Sequence, residues 1–212
     1  MKISKFYLSI LYLVVGHLAV FPQKINNTLI ESFQRNLINE KHAGSNVILI
    51  NKENQIIYHH IENSKSPGDK DITKESIFPI WSMSKPITTV AILILNERGL
   101  IDFDDSVSKY LPEFSNLQCK NLDGDIEPCE NELKIIHLLT HMSGLYYYED
   151  FMLDAIRSQN LEELTIKISK HPLAFEPGEE FLYGLNQDVL GRIVEVITGL
   201  SFFDFLFNEI FV

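Results

Sequence analysis

Residues 87–95 read Ile-Thr-Thr-Val-Ala-Ile-Leu-Ile-Leu, and Asn96-Glu97-Arg98-Gly99 follows. A helix with so little polar surface is predicted to be buried on several sides, since a surface helix would carry a polar face. Gly99 supplies the left-handed position that stops it. Pro86 lacks an N–H and fits only near a helix start, which places the first turn around residues 82–85. Ser82 and Lys85 therefore stand three apart, on one face, at the mouth of a buried helix.

That spacing has a chemical use. A serine hydroxyl is a poor nucleophile until a neighbouring base takes its proton. A lysine one turn along lies within reach, and partial burial disfavours its charged form. The helix N-terminus adds free backbone donors and a positive dipole end, both suited to a developing oxyanion. The plain alternative is a serine cap beside a solvated lysine.

The formal charge of −11 argues against nucleic-acid binding and against electrostatic attachment to anionic lipid, both of which need clustered Lys and Arg. The first residues differ from the rest. Lys2 and Lys5 precede an apolar run over residues 6–21, broken by Ser9, Gly16 and His17. A membrane span needs about 20 apolar residues, so residues 1–22 read as an export signal, with an uncleaved anchor as the alternative. Export makes the protein periplasmic or secreted, and membrane contact follows only if that segment is retained.

Cys119 and Cys129 lie in a polar, turn-rich stretch. In an exported protein such a pair most simply forms a disulfide closing a surface loop; two free thiols are the alternative. Zinc modules space paired cysteines about two to four residues apart, so no metal is expected here, even with His137 and His141 four apart on a predicted helix. His59 and His60 are adjacent on a strand and point to opposite faces, which prevents a shared metal.

Periodicity and breakers supply the remaining elements. A helix is predicted over residues 24–40, capped by Asn26 or Asn27, then a hairpin of 46–51 with 55–61 and a loop over 63–71. A short helix ends at Pro112, and another over 133–141 stops at Gly144. The aromatic run Tyr146-Tyr147-Tyr148 is either a packed loop or the wall of a pocket. Asn160 caps a helix over 161–170, and a structured loop leads to Phe181-Leu182-Tyr183. A helix over 189–198 stops at Gly199, and Ser201 starts the next. There is no internal repeat.

In this order the segments resemble the serine β-lactamase-related family: class C β-lactamases, penicillin-binding D-alanyl-D-alanine peptidases and their esterase relatives. Residues 78–88 resemble the nucleophile segment. Asp104-Asp105-Ser106-Val107-Ser108-Lys109-Tyr110-Leu111-Pro112-Glu113 is similar to the stretch that follows it. Leu138-Leu139-Thr140-His141-Met142-Ser143-Gly144-Leu145 differs little from the usual Leu-Leu-Thr-His-Thr-Ser-Gly-Leu. Residues 172–178 and Asp188-Val189-Leu190-Gly191-Arg192 also match.

The resemblance, running over residues 24–212, implies a β-lactamase/transpeptidase-like α/β (α+β) fold: an antiparallel sheet flanked by helices, plus a mainly helical region. It implies Ser82 as the acylated nucleophile, Lys85 as its activating partner and Tyr183 as the proton-exchanging phenol of the second motif. Two departures stand out. Leu185 occupies the place of Asn in Tyr-x-Asn, leaving Asn186 as a substrate contact and leaning towards esterase or peptidase over true β-lactamase. The third motif, a Lys or His followed by Thr or Ser and Gly, would fall beyond Val212, so the domain is expected to be truncated before its later strands. The implied activity is acyl-enzyme hydrolysis of a small ester, peptide or lactam, with no cofactor; the rival reading is a non-catalytic homologue or binding module.

Overall fold

The computed structural model describes residues 26–147, 149 and 153–211, so the predicted export segment at residues 1–22 lies outside the described residues. The chain divides into two compact units, Met1–Phe78 and Pro79–Val212.

In the first unit, helix α1 (Asn27–Asn39) starts where the Asn26 side chain accepts the Leu29 N–H. Strands β1 (Asn46–Lys52) and β2 (Gln55–Glu62) pair antiparallel, Val47 opposite Ile61. Glu53 and Asn54 both have positive φ, 51° and 61°, as a two-residue hairpin loop requires. Gln34 ties α1 to the hairpin. It is fully buried, its amide donates to Asn46 Oδ1 at 2.8 Å, and its Oε1 pairs with His60 Nδ1 at 2.9 Å. A buried amide has to find such partners, and His60 is committed to this one. In the loop over 63–71, Asp69 accepts from the Ser64 hydroxyl and from the Ser45 N–H, and these bonds hold its carboxyl below the usual carboxylate range.

The second unit holds the long apolar helix, α2 (Lys85–Glu97), entered through a 3₁₀ turn at Trp81–Ser84. Gly99, at φ 69°, lets the Leu100 N–H close back on the Leu95 carbonyl at 3.0 Å. Thr88, Ala91, Ile92 and Leu95 are buried, whereas Val90 and Leu93 are 41% and 46% exposed. Burial on several sides, expected from composition, is thus realised on one face only.

Two 3₁₀ turns, Val107–Lys109 and Pro112–Phe114, stand where one short helix was predicted. A small ribbon of β3 (Gln118–Lys120) and β4 (Ile126–Pro128) follows, and Cys119 and Cys129 are joined by a disulfide across it. Closing a loop of this length removes freedom from the unfolded chain, so reduction is expected to cost about 2–3 kcal/mol. Urea unfolding with and without dithiothreitol measures this, and coincident curves would contradict it.

Helices α3 (Ile135–Leu139), α4 (Leu153–Ile156), α5 (Leu161–Ile168), α6 (Asn186–Thr198) and α7 (Phe202–Glu209) complete the unit. The hub is α6, which packs against α2, α3, α5 and α7. Gly191 makes this possible: a Cβ there would lie 3.1 Å from a Leu161 methyl and 3.4 Å from the Phe202 ring. Asn160 and Ser201 cap α5 and α7 through side-chain acceptors. The expected helix over 133–141 is shorter than predicted. His141 lies beyond its end at φ 57°, so His137 and His141 do not share a helix face.

Candidate active site

Ser82 sits in the 3₁₀ turn and Lys85 opens α2, so local helical spacing alone brings them together, with Lys85 Nζ donating to Ser82 Oγ at 3.4 Å. Trp81, just before Ser82, is held at φ 49°. A bulky residue in the left-handed region stores roughly 1–3 kcal/mol, and such strain clusters at functional sites. The Ser84 hydroxyl holds this turn by donating to the Trp81 carbonyl at 2.6 Å.

Tyr183 arrives from far along the chain. Its hydroxyl lies 2.6 Å from Ser82 Oγ. Backbone bonds fasten its segment to the residues after α3: the Leu182 N–H donates to the His141 carbonyl at 2.9 Å, and the Leu185 N–H to the Tyr146 carbonyl at 3.2 Å. Gly184 permits this approach, since a Cβ there would stand 1.8 Å from the Leu145 carbonyl oxygen. The phenol ring is gripped by a His141 ring stacked at 4.9 Å and by Tyr147 edge-on at 5.5 Å. Lys85 Nζ lies 4.6 Å from the centre of the Tyr183 ring.

A buried network sets the histidine. Asn186 is fully buried; its Nδ2 donates to His141 Nδ1 at 2.7 Å, and its Oδ1 accepts the Ser143 hydroxyl. Nδ1 is therefore an acceptor, and the proton of the neutral ring is on Nε2. Burial, and then the Lys85 charge, lower the His141 pKa and favour that neutral ring. Hydrogen bonding from Lys85, then from Ser82, pulls the Tyr183 phenol below its ordinary value. Burial pushes the Asp188 carboxyl up, against the opposing Lys85 charge.

Ser82, Lys85 and Tyr183, the three residues that the family resemblance singled out, thus lie together. Asn186 does not join them: both ends of its amide are taken up inside the protein, so it orients His141 instead of contacting a substrate. The reason is the start of α6, three residues earlier than expected, which turns Asn186 inward. His141 and Ser143 were legible only as a motif.

Beside Ser82 and Lys85 opens a cavity of about 680 Å³, lined largely by apolar side chains, with Gln187 and Asp188 in its wall. The set can carry out proton exchange at a serine hydroxyl: a phenol of lowered pKa in contact with it, and a cation over both.

Residues 29–212 match the family described as Beta-lactamase. The chain is 34% identical to the acyltransferase calJ of Penicillium decumbens, over 65% of this chain and 35% of that protein. It is 30% identical to the esterase EstB of Burkholderia gladioli, over 76% of this chain and 43% of that protein. Among solved structures, EstCE1, a hydrolase with promiscuous acyltransferase activity, superposes with a TM-score of 0.69 at 27% identity, over 85% of this chain and 49% of that one. The chain spans roughly a third to a half of the length of these relatives.

Proposed function

The chain belongs to the β-lactamase family, and we propose that it is a serine hydrolase working through an acyl-enzyme, on ester or peptide carbonyls in preference to lactams. One observation carries this reading: Ser82 Oγ lies 2.6 Å from the Tyr183 hydroxyl and 3.4 Å from Lys85 Nζ. Relatives that are an esterase and an acyltransferase support it, since both names describe passing an acyl group to an acceptor, water in the one case.

In the proposed course, the Tyr183 phenolate takes the Ser82 proton as Oγ attacks the carbonyl carbon. Lys85 supplies the positive charge that holds the phenol low, so the base role expected of the lysine passes to the tyrosine it polarises. The Ser82 N–H, at a helix start without an intrahelical partner, faces the oxyanion. The carbonyl–oxygen (or nitrogen) bond to the leaving group then breaks, and Tyr183 returns the proton to that group. Water then deacylates the enzyme: Tyr183 takes its proton as its oxygen bonds to the acyl carbon, the bond from that carbon to Ser82 Oγ breaks, the acid departs, and Tyr183 returns the proton to Oγ. Leu185, buried in the place of the second-motif Asn, supports esterase or peptidase chemistry over lactam hydrolysis.

A fluorophosphonate probe tests this. Mass spectrometry is expected to find one adduct, on Ser82, and none in a Ser82→Ala variant that keeps the parent circular dichroism. An adduct on another serine, or none, would sink the proposal.

Export is part of the same proposal. The Cys119–Cys129 disulfide supports an oxidising compartment. Among the described residues no helix is long and apolar enough to cross a membrane.

A further inference from the structure

Tyr183 serves Ser82 only while its hydroxyl stays 2.6 Å from Oγ, and the ring it rests on is His141. The two rings stack at 4.9 Å, 17° from parallel. The same imidazole also holds the backbone beside Tyr183. Its Nδ1 accepts the Gly184 N–H at 3.4 Å and the Asn186 amide N–H at 2.7 Å. A backbone N–H can only donate, so Nδ1 carries no proton.

Protonation at Nδ1 would set a third N–H against those two donors, and neither gives way cheaply. The Gly184 N–H belongs to backbone packed so closely that a Cβ there would stand 1.8 Å from the Leu145 carbonyl oxygen. Asn186 could offer oxygen to an imidazolium only by turning its amide over. That oxygen accepts the Ser143 hydroxyl, and Ser143 Oγ in turn accepts the Leu145 N–H at 3.0 Å. Ser143 and Asn186 are fully buried, so a turned amide would strand the Ser143 proton without an acceptor. Burial, and then the charge of Lys85 on α2, oppose a charge on the ring, and among the described residues no carboxylate counters them. Tyr183 is the titratable group stacked on the ring, and Asp188 of α6 bears on Lys85 and Tyr183 instead.

We propose that His141 is a positioning residue, holding Tyr183 against Ser82 only as the neutral ring protonated on Nε2, and that a second proton on the ring releases the phenol. This deepens the acyl-enzyme reading above and rests on it. Because burial lowers the His141 value, the neutral form is complete above the ordinary histidine value of about 6.5 and is lost as pH falls through the lowered one. Loss of one proton, from Tyr183, gives log kcat/KM a slope of one against pH. Below the His141 value two protons must leave and the slope becomes two, a further loss of about tenfold per pH unit.

The test compares kcat/KM for p-nitrophenyl acetate in the parent and in His141→Asn, over the pH range where circular dichroism shows both folded. Asparagine keeps an acceptor oxygen on a short side chain, tolerates the φ of 57° at this position and does not titrate. The parent is expected to pass from slope one to slope two somewhere below about pH 6.5, while the variant keeps slope one throughout. In nitrogen NMR spectra of the parent with labelled histidine, the imidazole signal missing from the variant is expected to show its proton on Nε2 and to titrate at the break. Equal slopes in the two proteins, or a His141 ring protonated on Nδ1 at neutral pH, would overturn the positioning role while leaving Ser82 acylation standing. Absence of Ser82-dependent turnover at every pH would overturn both.

Discussion

Tyr183→Phe is expected to lower kcat/KM for an ester by about 10²–10⁴, the usual worth of a positioned acid–base group. The substitution is selective because the ring's contacts survive. The His141 stack at 4.9 Å and the Tyr147 edge contact at 5.5 Å need no hydroxyl. What disappears is the oxygen 2.6 Å from Ser82 Oγ, and with it the proton acceptor. Stability should therefore change little while the rate collapses. The pH profile gives a second reading. Lys85 and Ser82 favour the phenolate, so the parent rate should climb with pH through a value below that of an ordinary tyrosine. The variant lacks that limb, because phenylalanine has nothing to deprotonate. A loss under tenfold, with the alkaline limb intact, would return the base role to Lys85.

Gly184→Ala is expected to be nearly as damaging to activity, and in addition to destabilise the fold. Its new Cβ would stand 1.8 Å from the Leu145 carbonyl oxygen and 2.7 Å from the Leu145 carbonyl carbon, both backbone atoms that cannot rotate aside. Relief requires moving one strand of the contact, which strains the Leu182–His141 and Leu185–Tyr146 bonds flanking it. Overpacking of this severity costs about 3 kcal/mol, the upper end of the usual range. The catalytic cost is separate, because displacement by about 1 Å of a group in contact with the nucleophile is worth around a hundredfold. Urea unfolding measures the first effect and ester turnover per folded molecule the second. A variant with parental midpoint and rate would show that the 145–184 contact does not hold Tyr183 in place.

Local signals were legible because they act over a turn or less. Ser82 and Lys85 meet because three residues make nearly one helical turn, and no other part of the chain is needed for that. The caps at Asn26, Asn160 and Ser201 were readable for the same reason, as were the left-handed stops at Gly99 and Gly199. The disulfide was nearly as local, its cysteines standing ten positions apart in sequence.

What the tertiary structure decided acts over longer spans. Tyr183 stands 101 positions from Ser82, and no periodicity encodes that meeting. It is set by backbone bonds between the segments at 141–146 and 182–185, allowed by the missing side chain at Gly184. The start of α6 at Asn186 was decided there too. Three extra residues of helix turn one amide inward to orient His141, set Gln187 in the cavity wall and bring Asp188 beneath the field of Lys85. Apolar composition predicted cover for α2 on several sides and the structure gives it on one, because hydrophobicity states a preference for cover and only packing supplies it. A residue's type and near neighbours determine what it can do; which distant surface closes over it determines what it does.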